Sequence, residues 1–179
     1  MKRFLYTTAA VMAFLLCACG RDEYRIHGRV VSNELEGVKV FLVPVGHGER
    51  ENVDSVLIHN HEFEFRGNRH WMCTVRLIAH ERAKGQDLLV ATEPGDIYVT
   101  IGPNSTGGGT PQNDSLQVWK DLTMEHNRIY GGLYDEGRKE EAKVVHAEYL
   151  RRTREMALAL GEESIARKFL IEHFPLPQE

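Results

Sequence analysis

The apolar residues of this chain change period once, at the stretch Gly107-Gly108-Gly109-Thr110-Pro111-Gln112-Asn113-Asp114. Before it, short runs alternate apolar and polar residues, the period of a strand with one face buried. Tyr24, Ile26, Gly28 and Val30 alternate through "YRIHGRVV", and "VKVFLVPV" follows at 38–45. "DSVLIH" (54–59) and "EFEFRG" (62–67) flank Asn60-His61, which reads as a tight hairpin turn. "WMCTVRLIAH" (71–80) places Trp71, Cys73, Val75, Leu77 and Ala79 on one face, and "DLLVAT" and "DIYVTI" close the series. Seven such runs at roughly ten-residue spacing predict an antiparallel β-sandwich or barrel.

After the stretch the spacing becomes helical. Leu116, Trp119, Leu122, His126 and Ile129 recur at three- and four-residue intervals, and Gly131-Gly132 is the expected stop. Residues 138–161 are rich in strong helix formers, and 162–174 predict a further helix, with Glu163 and Arg167 at ion-pair spacing. The expected fold class is mainly β with α: a β-sandwich-like module at 24–106, a glycine-rich connector at 107–113, and a two- or three-helix tail at 114–179. Whether the helices pack on the sandwich or stand apart is open at this level.

The N-terminus is of another kind. Met1-Lys2-Arg3 precedes an apolar run from Phe4 to Leu16, too short for a spanning helix. The run closes on Leu16-Cys17-Ala18-Cys19, the order of an aliphatic residue, two small ones and a cysteine cut by lipoprotein signal peptidase. Residues 1–18 therefore read as a lipoprotein signal peptide, Cys19 as the lipidated first residue, and 19–23 as a polar tether. More than one acyl chain on Cys19 would give stable anchoring. Gly20 after the cysteine favours the outer membrane, on its periplasmic or its surface side.

Cleavage would take Lys2 and Arg3 and no acid, so Lys+Arg falls from 22 to 20 against 26 acids and the net charge from −4 to −6. That balance argues against a nucleic-acid-binding surface, which needs clustered positive charge. Cys17 leaves with the signal and Cys19 takes lipid, so Cys73 is the thiol that remains and no CxxC redox pair exists.

Several motifs together resemble a known family, the lipoprotein module called domain of unknown function 4369. They are Tyr24-Arg25-Ile26-His27-Gly28-Arg29-Val30, "VKVFLVPV", Asp54-Ser55, "EFEFRG", and "ATEPGDIYVTI" followed by "GGGTPQNDSL". Such modules commonly precede a thioredoxin-like domain in envelope thiol–disulfide oxidoreductases of Gram-negative bacteria. The resemblance covers residues 22–120, and "ARKFLIEHF" is similar to the helix that leads into the thioredoxin-like domain. This chain departs from the pattern at Asn60-His61-Glu62 and at Gln112, where an apolar residue is frequent. It reaches Glu179 without the catalytic domain, so the resemblance implies no activity and brings no catalytic residue.

The residues themselves point the same way. The glycine run lacks the Lys-Ser/Thr of a phosphate loop and the spacing of a dinucleotide fingerprint. A connector reading suits it better, with Asn113 or Asp114 capping the next helix and Asp114 and Gln117 at capping-box spacing. His59, His61 and His70 are weak ligand-site candidates, with Glu62 as an added oxygen, against the plainer reading of surface histidines. Cys73 sits on an alternating strand and reads as a small buried hydrophobe. No triad spacing, nucleophile elbow or zinc motif singles out an enzyme, and no cofactor is expected. The leading expectation is a lipid-anchored, non-enzymatic envelope protein that binds a partner protein or small ligand. The alternatives are an accessory module that recruits a thioredoxin-like oxidoreductase, a weak metal-dependent hydrolase, and a shortened remnant of the longer enzyme.

Overall fold

A computed structural model describes residues 22–176, so the expected signal peptide and the expected lipid site Cys19 lie outside the described residues. Among them the eight strands are β1 (Tyr24–Val30), β2 (Lys39–Pro44), β3 (Asp54–Leu57), β4 (Glu62–Gly67), β5 (Met72–Leu77), β6 (Leu88–Ala91), β7 (Gly95–Ile101) and β8 (Thr106–Gly108). Three helices follow: α1 (Pro111–Asp135), α2 (Lys139–Ala159) and α3 (Ile165–His173). The strands form two four-stranded sheets in the orders β4-β1-β7-β8 and β3-β2-β5-β6. The expected sandwich is there, and it is mostly antiparallel; the exception is β1 beside β7, which pair in parallel through Tyr24↔Gly95 to Val30↔Ile101. A parallel pair needs a long crossover, and here the whole of β2 to β6 supplies it.

Alternation sets the core. Ile26, Val30, Phe63, Phe65, Ile97, Val99 and Ile101 of one sheet face Val40, Leu42, Val75, Leu77, Leu88 and Val90 of the other. Each aliphatic side chain so buried contributes about 1.5–3 kcal/mol. Two cross-strand pairs on β1 and β4 fit rings over glycines. Gly28 lies opposite Phe63, and a Cβ there would come within 2.0 Å of the Phe63 ring. Gly67 lies opposite Tyr24, whose hydroxyl would be 2.7 Å from a Cβ. Covering a strand glycine with a cross-strand ring fixes register, which explains why these motifs carry Gly28 and Gly67.

A second apolar cluster lies on the outer face of the β5–β6 hairpin, where Met72 and Ala91 meet Leu116, Trp119, Ala166 and Phe169. The helical tail therefore packs on the sandwich. Helix α1 starts at Pro111, three residues earlier than its apolar spacing indicated, with Pro111 at the first position and Thr110 as N-cap. It also runs past Gly131-Gly132. It stops at Gly137 (φ 75°), where Gly137 N donates to Tyr134 O and Arg138 N to Leu133 O. Those paired bonds satisfy the last carbonyls and make a left-handed stop, whereas interior glycines only lower helix propensity. Glu163 pairs with Lys168 at 2.7 Å rather than with Arg167, whose guanidinium donates to the Leu160 carbonyl at the end of α2.

Candidate functional site

The glycine-rich stretch has a structural task. Asn113 is buried, and its side chain accepts from Ala91 N at 3.0 Å and donates to Ala91 O at 2.8 Å and to Thr110 Oγ1 at 2.8 Å. One amide side chain thus replaces the missing strand beyond β6. Asp114 does not close a capping box. Its carboxylate accepts backward from Gly109 N at 2.8 Å, while Gln117 accepts from Gly107 N at 2.9 Å. The free amide of Gln112 at the start of α1 is met by Glu93 Oε1 at 2.7 Å, a carboxylate on a helix N-terminus supplied from another segment. The Gln112 side chain also donates to Glu93 Oε2 and accepts from Ala166 N, so it ties the start of α1 to that of α3. With Glu93 and the Asp114 carboxylate already on these amides, an anion has no claim on them.

The expected histidines are not brought together. Asn60 and His61 both have positive φ, 52° and 65°, the geometry of the tight hairpin turn the sequence indicated. The Glu36 carboxylate receives both turn amides, at 2.9 and 3.2 Å, and these bonds hold it below the usual carboxylate range. His59 is exposed and 3.7 Å from Glu36, and His70 donates to the Asp22 carbonyl at 3.0 Å. His59 and His61 precede β4 and His70 follows it, so the six-residue strand, at about 3.3 Å per residue, holds them roughly 20 Å apart. Among the described residues no group of three or more His, Cys, Asp or Glu is set to hold a metal.

The residues that do converge lie at the end of the sandwich where the chain enters β1. There the start of β1, the ends of β2 and β4, and the starts of β3 and β5 surround a cavity of about 240 Å³. Tyr24, Leu42, Trp71 and Cys73 make the inner wall; Asp54, Asn52, Arg66 and Arg69 bring polar groups to it. Arg69 stacks over Trp71 at 5.5 Å and donates to Asn52 Oδ1 at 3.3 Å, and Arg66 is held by Glu64. Arg69 thereby joins the segment before β5 to the turn before β3, and Arg66 is paired along its own strand β4.

Burial pushes the Tyr24 hydroxyl up to about 12, with the Asp54 carboxylate adding to the effect. Burial likewise pushes the Cys73 thiol up to about 12. Both stay protonated near neutral pH. The Cys73 thiol is thus held in its un-ionised form and is a poor nucleophile there, since attack needs the thiolate. The inner wall offers neutral donors, and the rim adds guanidinium and amide donors together with carboxylates. Such a cavity can bind a group that carries both an acceptor and a donor. About 240 Å³ is eight times the roughly 30 Å³ a water occupies in the liquid, room for a group the size of an amino acid. Sequence spacing did not reveal the site, because its residues come from five separate runs. Within the quoted motifs, Tyr24, Leu42, Pro44, Asp54, Arg66 and Gly67 all line it.

The family model described as Domain of unknown function (DUF4369) matches residues 24–116. No curated protein and no solved structure matches the chain.

Proposed function

The chain belongs to the family of domain of unknown function DUF4369, and on that premise we propose that it is a lipid-anchored, non-enzymatic module of the cell envelope that captures a small peptide-like ligand or a chain segment of a partner protein. The observation that carries this reading is the convergence of Tyr24, Asp54, Arg66, Arg69 and Trp71 on one cavity. A concave site with a few convergent polar groups and shifted ionisations is the usual form of a binding site. Its protonated phenol and thiol suit recognition better than bond making.

The anchor is Cys19, supported by the order of basic, apolar and Leu-Cys-Ala-Cys segments. β1 begins five residues after it. A tether of that length spans at most about 18 Å, so the cavity faces the outer-membrane surface from close by.

Two measurements test the proposal. Labelling with a palmitate analogue is expected in the wild type and lost in Cys19→Ser; equal labelling removes the anchor. A panel of dipeptides and free amino acids is expected to raise Tm of the wild type but not of Arg69→Ala or Asp54→Ala. A response that survives in both variants puts binding elsewhere, and no response leaves the partner-segment form to the cross-linking described at the end of the Discussion.

A further inference from the structure

Far from the cavity, α1 and α2 bring two histidines face to face. His146 Nδ1 lies 3.2 Å from His126 Nε2. The other ring nitrogen of His126, Nδ1, is 3.0 Å from Asn127 Oδ1. An amide oxygen only accepts, so Nδ1 carries the proton and Nε2 turns its lone pair toward His146. The His126 ring is held between Tyr149, at 4.3 Å, and Tyr130, at 5.3 Å, in stacked geometry. The Tyr149 hydroxyl is 3.0 Å from Thr123 Oγ1 of α1. His126 is therefore fixed in tautomer, rotamer and direction, while His146 is exposed to solvent.

We propose that His126 and His146 form a two-histidine site for a first-row divalent ion such as Zn(II), which clips α1 to α2. The separation fits. Two imidazole nitrogens at about 2.0–2.1 Å from a tetrahedral ion stand about 3.3 Å apart, against 3.2 Å here. The outer contact fits as well, because a ligating histidine characteristically donates its second N–H to an oxygen that sets its tautomer. Imidazole pairs select zinc, copper or nickel over magnesium or calcium. On binding, His146 Nδ1 gives up its proton and the ring takes one at Nε2 through solvent, so a neutral imidazole remains and no net proton is released. Water fills the remaining positions, which leaves the ion exchangeable and open to a further ligand.

The test is calorimetric titration of the purified full chain, without a polyhistidine tag, with Zn(II) and Ni(II) chlorides. One ion per chain is expected, with a rise in Tm. His126→Gln and His146→Gln each weaken binding at least about tenfold, and Asn127→Ala, which removes no ligand, weakens it about tenfold through the lost outer contact. His70→Gln leaves binding unchanged. Helical circular dichroism checks that each variant is folded; because His146 and Asn127 are exposed, their substitution leaves the packing of α1 on α2 in place. Undiminished binding in His146→Gln, or no binding to the wild type at millimolar zinc, overturns the proposal.

Discussion

Replacing Asn113 by alanine removes the one side chain that satisfies both backbone groups of Ala91. Ala91 is fully buried, and Asn113 keeps only 2% of its surface exposed. The substitution deletes the bonds at 3.0 and 2.8 Å and the third to Thr110. It leaves the buried Ala91 N–H without a partner, at about 1–3 kcal/mol, while the Ala91 carbonyl loses one of two bonds and keeps the one from Glu93 N at 2.8 Å. The expected loss is about 2–3 kcal/mol, a large share of the roughly 5–15 kcal/mol that holds a domain together. Asn113→Asp should be worse than alanine, because an oxygen would then face the Ala91 carbonyl and bring a buried charge. Urea denaturation measures both, read as a lower midpoint at unchanged slope. Hydrogen exchange adds a local readout, with the Ala91 amide losing protection ahead of the core of β1. A loss below about 1 kcal/mol, in the range of an ordinary surface change, would refute the view that this amide completes the sheet edge.

Three further outcomes follow from the same geometry. Gly28→Ala should destabilise by about 1–3 kcal/mol by driving a Cβ into the Phe63 ring, and Phe63→Leu in the same chain should recover part of the loss in a double-mutant denaturation cycle. Cys73 should resist iodoacetamide at pH 8 in the folded chain and react once urea is added. Its folded pKa of about 12 lies above the reference 9.0, so the unfolded chain loses its proton first; the stabilisation is whole below pH 9 and lost as pH rises toward 12. Tm should therefore fall between pH 8 and 10.5, and less steeply in Cys73→Ala. Glu93→Ala should lower stability by about 1 kcal/mol, the scale of a lost helix cap, measured by thermal denaturation.

Period-two alternation identified seven of the strands and the two-sheet architecture, because a half-buried strand writes its exposure directly into the residue order. The Asn60-His61 turn was legible for the same reason, since its backbone demand is local. The short β8 was not, because three residues of Thr106–Gly108 hold too little pattern. Pro111 did mark the start of α1, but the apolar stripe beginning at Leu116 drew the boundary inward. The stop at Gly137 rather than Gly131-Gly132 depended on bonds to Tyr134 and Leu133 that any helical glycine could have offered. Asn113 was legible as a polar residue with a local partner and not as a substitute strand, because Ala91 is distant in sequence. Gln112 departs from the family pattern, and its bridge between Glu93 and Ala166 explains why a polar residue fits there. The cavity and the His126–His146 pair were both beyond reach, since their members share no spacing and meet only when sheets and helices pack.

The central claim is that the protein acts by binding through the end cavity. A photo-reactive amino acid at Asn68, on the cavity rim, compared with one at Val144, 70% exposed on α2, tests it most directly in intact cells. The account predicts a discrete adduct from position 68 that disappears when Trp71→Ala or Asp54→Lys is added, and none from position 144. Adducts of equal yield at the two positions, or one at position 68 that persists with the cavity altered, would contradict it.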